Sequence, residues 1–282
     1  MVNENIHYDI ACLRQKWALM VNYQILDSKF GILFECHSPE YGPCILKYIP
    51  SFINRYAIEK QGYQLLSKTF MCTLYFYDDE FNALVLKKCL LDYSIVYDNV
   101  LLTSFFRRVL EHAKTFNFNL IENWKKVLYE NTLKNKKQFL NYGHLLHKKI
   151  ADYVIFANEL YYKYFSNAPL YYIHGDLHRH NILKDGQNLI AIDPIGYIAP
   201  IEFEMTRFIG TELMASEYKT TLRNLHSLFH LFLKYTSKDK LLSALIIDII
   251  FRTHNSILED SDDTNTLKWL DILEYLMYYR FH

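Results

Sequence analysis

The stretch Tyr172–Ile195, YIHGDLHRHNILKDGQNLIAIDPI, decides how this chain is read. Asp176 and Asn181 stand five apart in the order H-x-D-x-x-x-x-N. Ile182-Leu183 open a short apolar strand, and Asp185-Gly186-Gln187-Asn188 is a strong turn signal. A second apolar run, Leu189-Ile190-Ala191-Ile192, then delivers Asp193. A hairpin over these residues brings Asn181 and Asp193 to neighbouring strand ends, with Asp176 on the loop before them. Two carboxylates and an amide suit Mg²⁺ and a phosphate chain. Mg²⁺ takes hard oxygen ligands, one or two of them from protein, and fills the rest with phosphate and water.

The segment resembles the aminoglycoside phosphotransferase-like kinases, small-molecule relatives of the protein kinases. Their HGDxHxxN loop is matched by His174, Gly175, Asp176, His178 and Asn181. Asp193-Pro194 with Gly196, then Ala199-Pro200-Ile201-Glu202-Phe203-Glu204, is similar to the streptomycin 6-kinase and hydroxyurea phosphotransferase branch. The chain departs from that branch where Ile198-Ala199-Pro200 replaces Gly-Asp-Pro. The resemblance implies an α+β, bilobal protein-kinase-like fold. Its N-lobe is an antiparallel five-stranded sheet with one helix, and its C-lobe is mainly helical with a catalytic hairpin. It also implies ATP and Mg²⁺, with Asp176 acting on an acceptor hydroxyl and Asn181 and Asp193 holding the metal.

Composition bounds the alternatives. At 282 residues, 51% hydrophobic and 16% aromatic, the chain can bury a large core and is not disordered. Basic and acidic residues balance at 31 each, so no net field draws it to nucleic acid or an anionic membrane. Five scattered cysteines form no CxxC pair, which points to a reduced, cytoplasmic protein. MVNENIHYDIACLRQKW lacks the cationic start and apolar core of a secretory signal. The longest apolar run, Leu241–Phe251, is broken by Asp248 and is too short to span a membrane. A monomer or homodimer is expected.

Taken in order, Trp17–Tyr23, Phe30–His37 and Cys44–Ile49 read as strands, with Gln24–Lys29 as a glycine-free phosphate-covering loop between the first two. Lys47, flanked by apolar neighbours on the third strand, fits the lysine that pairs nucleotide phosphates. Ser51–Ser67 reads as a helix, and its Glu59 is the candidate partner of Lys47. Met71–Tyr77 and Ala83–Leu86 are two more strands around Asp78-Asp79-Glu80. The second runs into a hinge at about 84–90, where Leu86 and the backbone of Lys88 would meet adenine and Leu183 would form its floor. Helices follow over Asp98–Phe116, Ile121–Lys137, Phe139–Tyr164, Ile201–Ala215, 219–235, 239–256 and 265–280. The expected division is an N-terminal nucleotide lobe, 1–88, and a helical lobe, 89–282. The second carries the catalytic loop 174–181 and the metal segment 189–196.

The acceptor expected from the resemblance is a hydroxylated, cationic small molecule, an aminoglycoside or aminocyclitol such as streptomycin. Glu202, Glu204, Glu212 and Glu217 are the acidic groups that such a cation would want. Choline, homoserine and sugar amines are the other acceptors that this plan accommodates. A different chemistry, a zinc hydrolase built on His174, His178, His180 and Asp176, is weaker. Its spacing fits neither HExxH nor a cysteine site, and it leaves Asn181 and Asp193 without a role. A catalytically inactive nucleotide-binding module is the third class.

Overall fold

The computed structural model describes residues 2–28, 30–53, 55–66, 68–90, 99–113, 145–215, 229–258 and 263–281. The chain divides into two compact units, Met1–His112 with His180–Gly196, and Ala113–Arg179 with Tyr197–His282. The division expected at 88–89 follows the change from strand to helix pattern. The compact units follow packing instead, and group the helix after residue 98 and the 180–196 hairpin with the N-terminal sheet.

The first unit is the expected five-stranded antiparallel sheet. Strands β1 (Met20–Ser28), β2 (Gly31–Ser38), β3 (Gly42–Tyr48), β4 (Leu74–Asp78) and β5 (Ala83–Lys87) lie in the order β1-β2-β3-β5-β4. A helix that the sequence reading did not anticipate, α1 (Val2–Lys16), precedes them. Ile6, Ile10 and Leu13 recur at helical spacing and join Leu19, Ile32, Cys36, Leu46 and Val85 in one core. Tyr48 donates to Asp9 at 2.6 Å, and Lys16 pairs with buried Asp78 at 2.6 Å.

The phosphate-covering loop expected at Gln24–Lys29 is corrected. Residues through Ser28 are strand, with Gln24 opposite Phe34, Leu26 opposite Leu33 and Ser28 opposite Gly31. Ile25 and Leu26 suit a pleated strand, and the pairing continues as far as Ser28 opposite Gly31. Gly31 has φ +133°, and a Cβ there would lie 2.9 Å from the Tyr48 carbonyl oxygen.

Helix α2 (Tyr56–Leu65) is shorter than expected and buries Tyr56, Glu59, Gly62 and Tyr63. The hairpin of β7 (Ile182–Asp185) and β8 (Asn188–Ala191) turns at Gly186, φ +60°. Backbone bonds tie it into this unit. Cys72 N–H donates to Ala191 O at 2.8 Å, and Leu90 and Lys184 exchange bonds at 2.9 and 2.8 Å. From α3 (Asn99–Glu111), Arg108 donates to the carbonyls of Thr69 and Leu189 at 2.9 and 2.8 Å.

The second unit holds α4 (Leu145–Phe165), α5 (Glu202–Ala215), α6 (Lys238–Leu258), α7 (Asp263–Phe281) and a short antiparallel pair, β6 (Tyr171–Ile173) and β9 (Tyr197–Ala199). That pair was not anticipated; three-residue strands carry too little alternation to register. The apolar run Leu241–Phe251 is the centre of α6, which packs against α4, α5 and α7. Asp248 within it is buried and held by Arg252 through two contacts of 2.9 and 3.1 Å. The helix expected over Ile121–Lys137 lies outside the described residues, as does 219–228 of the helix expected at 219–235. No helix among the described residues is long and apolar enough to cross a membrane.

Gly62 sets how closely α2 approaches the segment after β8. A Cβ there would stand 2.5 Å from Pro194 Cγ and 2.6 Å from its Cβ, and the proline ring cannot swing away. In an open helix, Gly→Ala stabilises by up to about 1 kcal/mol. Here the sign reverses: Gly62→Ala is expected to lose about 1–3 kcal/mol by overpacking. Urea unfolding midpoints of the two proteins measure it, and a stabilised variant refutes this packing.

Candidate active site

The residues singled out in the sequence fall in two clusters of polar groups, one in each unit. In the first, Lys47 projects from β3 into a buried ion cluster. Its ammonium is 2.7 Å from Glu59 Oε2 and 2.9 Å from Asp193 Oδ1. The lysine and glutamate side chains are 3% and 0% exposed, whereas Asp193 is 29% exposed. Arg55, unforeseen by the sequence reading, brings Nε to 2.6 Å from Glu59 Oε1. Its guanidinium also lies over the Phe30 ring, 4.7 Å from the centroid. Two cations therefore meet two carboxylates. Lys47 hydrogen-bonds Asp193, while the approaches to Glu59 are charge contacts without hydrogen-bond alignment. Burial disfavours the lysine charge, yet Asp193 and Glu59 hold its pKa above the ordinary value. Burial pushes the Glu59 carboxyl upward against the pull of Lys47.

Asp193 adopts φ +58°, a left-handed conformation that aspartate tolerates better than most residues. Its N–H donates to the Tyr63 hydroxyl at 3.0 Å, and Gly196, φ +74°, completes the turn. Ile192 N–H donates to the Asn181 carbonyl at 3.0 Å, so the residues flanking Asp193 and Asn181 are joined by backbone. An amide and a carboxylate from adjoining strand ends are hard oxygen donors of the kind Mg²⁺ takes, and the pair fits that ion. Among the described residues, no three or more His, Cys, Asp or Glu are grouped to hold a metal.

The residues expected beside adenine differ in character. Leu86 is buried on β5 opposite Ile45 and Leu74, and Leu183 pairs with Ile190 on the hairpin. The Lys88 amide donates to the Pro43 carbonyl at 3.3 Å, and its ammonium lies 2.6 Å from Glu35. Its amide and its ammonium are thus both engaged by residues of the sheet.

The second cluster surrounds Asp176. Helix α5 approaches the loop end-on, and buried Glu204 in its first turn accepts from two loop amides. His174 N–H reaches Oε2 at 2.5 Å and Gly175 N–H reaches Oε1 at 3.3 Å. Gly175 has φ +78°, and a Cβ there would strike the Tyr197 ring at 2.5 Å. The buried His174 ring accepts the Asp176 N–H through Nδ1 at 3.3 Å. Arg207, one turn beyond Glu204, donates Nε to Asp176 Oδ1 at 2.7 Å, and His178 Nε2 lies 3.5 Å from Oδ2. Burial acts to raise the Asp176 carboxyl, but His178 and Arg207 outweigh it and hold it down at about 2. Arg207 was missed, although its i,i+3 spacing from Glu204 places both on one helix face.

The acidic groups expected to attract a cationic acceptor are committed elsewhere. Glu202 accepts from Thr236 at 2.8 Å, and Glu204 holds the loop. Glu212 takes a two-point contact from Arg179 at 2.9 and 2.5 Å. Glu217 lies outside the described residues.

No family model matches the chain, and no curated protein matches it in sequence. Solved structures match it in fold. A choline/ethanolamine kinase family protein from Mesorhizobium loti superposes with a TM-score of 0.66 at 13% identity, covering 95% of each chain. Choline kinase LicA from Streptococcus pneumoniae gives 0.66 at 13% identity, over 96% of this chain and 100% of that one. A thermostable mutant of aminoglycoside phosphotransferase APH(4)-Ia, bound to ADP and hygromycin B, gives 0.65 at 8% identity, over 94% and 96%. The chain has the protein-kinase-like fold of these structures.

Burial pushes the Glu204 carboxyl from its ordinary 4.5 up to about 7, with the two amide donors opposing and Asp176 adding to the rise. The folded protein therefore holds this proton more tightly than the unfolded chain does. The resulting stability is present below pH 4.5 and is lost as pH rises through about 7. Asp176 is ionised in both states over that window and adds no slope. Glu204→Gln should be less stable at low pH, because one loop amide then faces an NH₂ group. It should lack the decline of on the order of 3 kcal/mol that the wild type shows from this group. Chemical denaturation from pH 4.5 to 8 measures both, and parallel curves for the two proteins refute the assignment.

Proposed function

We propose that the protein is an ATP-dependent phosphotransferase that moves the γ-phosphoryl group of ATP to a hydroxyl of a small molecule. The observation that carries this reading is the buried Lys47 ammonium held between Glu59 and Asp193. A buried cation with one fully buried and one part-exposed carboxylate is arranged to exchange the exposed contact for phosphate oxygens. The fold supports the reading: the APH(4)-Ia structure holds ADP with hygromycin B, and a LicA structure holds AMP.

In the proposed reaction Lys47 grips the phosphates and Glu59, backed by Arg55, fixes the lysine. Leu86 and Leu183 bound the adenine. Asn181 and Asp193 would hold Mg²⁺, which supplies charge neutralisation on the phosphate oxygens when bound. Asp176 orients the acceptor hydroxyl and takes its proton late. A carboxylate held near 2 is a weak base, which suits a loose transition state in which activation of the nucleophile is a small contribution.

The acceptor we propose is an aminoglycoside or aminocyclitol, streptomycin foremost, on the resemblance of the Asp193–Glu204 segment. The second reading, an amino alcohol of the choline type, is supported by the two choline kinase-family structures at 13% identity. ATP consumption over aminoglycosides, amino alcohols and sugars decides between them, with product mass showing one added phosphate. Turnover of a neutral sugar alone would remove both amine acceptors and leave the kinase reading intact. ATP binding with no consumption would indicate the inactive module.

The roles of the two aspartates separate experimentally. Asp193→Asn keeps the left-handed backbone, since asparagine tolerates it, but removes the charge. It should lose Mg²⁺-dependent ATP binding and turnover together. Asp176→Asn should bind Mg·ATP normally and lose turnover by on the order of a hundredfold to ten-thousandfold. Calorimetric titration paired with initial rates reads both. Tight Mg·ATP binding by Asp193→Asn refutes the metal site, and normal turnover by Asp176→Asn refutes its catalytic role.

A further inference from the structure

We propose that Arg207 is a positioning residue for the reaction, acting through Asp176 by locking one carboxylate oxygen and so presenting the other to the acceptor hydroxyl. The inference rests on the kinase reading and goes beyond it by assigning a residue on α5 that no loop motif includes.

The geometry is specific. Arg207 donates through Nε, side-on, to Oδ1 of Asp176 at 2.7 Å. The Asp176 and Arg207 side chains are 17% and 22% exposed, so the bond is only partly screened by water. With Oδ1 fixed, rotation about the Cβ–Cγ bond of Asp176 would break a charge-assisted hydrogen bond. Oδ2 then keeps a set direction, on the side of His178, whose Nε2 lies 3.5 Å away. The backbone beneath the carboxylate is fixed from the same helix, since Glu204 binds the amides of His174 and Gly175. Residues 204 and 207, three apart on one face, therefore determine the main chain and the side chain of the catalytic loop separately.

Arg207 is itself set from a second helix. On α6, Asp248 and Arg252 form a two-point pair at 2.9 and 3.1 Å, and both charges act on Arg207. Asp248 is thereby occupied by Arg252, and Arg207 is directed to Asp176. A guanidinium at the reacting carboxylate works against basicity. Its presence is intelligible if the carboxylate is needed for direction more than for proton affinity, as a loose phosphoryl-transfer transition state requires.

The test uses the full chain, with ATP turnover measured on the acceptor identified by the screen above, or on Mg·ATP with water as acceptor. Arg207→Met should lower turnover at least about tenfold while the Kd for Mg·ATP changes less than about twofold. Arg207→Lys should recover part of the loss, because an ammonium can still bond Oδ1 without fixing its plane. In an Asp176→Asn background, Arg207→Met should cost almost nothing further, since the group it orients is gone. Normal turnover by Arg207→Met overturns the proposal and leaves the kinase reading standing. So does an equal penalty in both backgrounds, or loss of Mg·ATP affinity in step with turnover, since either marks a general structural role. If the wild type consumes no ATP with any acceptor or with water, the kinase reading falls and this assignment falls with it. Should Arg207→Met fail to fold, Arg207→Lys alone decides: unchanged turnover overturns the proposal, and a reduced rate at unchanged Kd supports it.

Discussion

An ammonium buried at 3% exposure is the constraint that the first unit is built to meet. Removing Lys47 from water without compensation would cost several kcal/mol, more than most single packing interactions return. Compensation requires carboxylates from two distant places in the chain: Glu59 from α2 and Asp193 from the segment after β8. Each must be delivered by backbone. Gly62 allows α2 to close on Pro194, Tyr63 holds the Asp193 amide, and the hairpin is bonded to residues 70, 72 and 90. These devices look unrelated in sequence, yet each serves to keep two anions on one cation. Arg55 then balances the cluster. Without it, Glu59 would face the burial penalty with half a partner, and its proton would be harder to remove.

The second unit solves a different problem. A loop that must hold a carboxylate steady has no hydrogen-bond ladder of its own, so its amides need outside acceptors. Glu204 supplies two acceptor oxygens from the first turn of α5. A carboxylate there also gains from the helix dipole, which offsets part of its burial. The remaining cost appears as a carboxyl held near 7. The left-handed turn at Gly175, where a side chain would strike Tyr197, is the other part of the same arrangement. The β6–β9 pair holds Tyr197 beside the loop, which explains why three-residue strands persist there.

Much of this was legible in the sequence, and what was not has physical causes. The sheet and the β7–β8 hairpin rest on alternation, turn residues and order, and those signals survive in a single chain; the contact of Lys47 with Glu59 was expected from the kinase resemblance. Helix α1 was missed because only Ile6, Ile10 and Leu13 mark its buried face, too few to separate it from loop. Gln24–Ser28 was read as loop because its role was assigned by analogy, whereas its own residues favour strand. The acidic residues of α5 were visible, but their partners were not. A carboxylate looks available until Thr236, Arg179 or a loop amide is brought to it by folding. Arg55 and Arg207 were hidden for the converse reason. Each is one helical turn from a residue that was singled out, and only the fold shows which face both share.

The same distinction explains how a fold can be held in common at 8% to 13% identity while no curated protein matches in sequence. The sheet core, of residues such as Ile32, Leu46, Leu84 and Val85, asks only for apolar volume of the right shape, and many sequences supply it. The ion cluster around Lys47 asks for more, since a buried ammonium needs carboxylates brought to it from distant parts of the chain. Sequence similarity averages over all positions and is dominated by the tolerant ones, so little of it survives where only apolar volume is held in common.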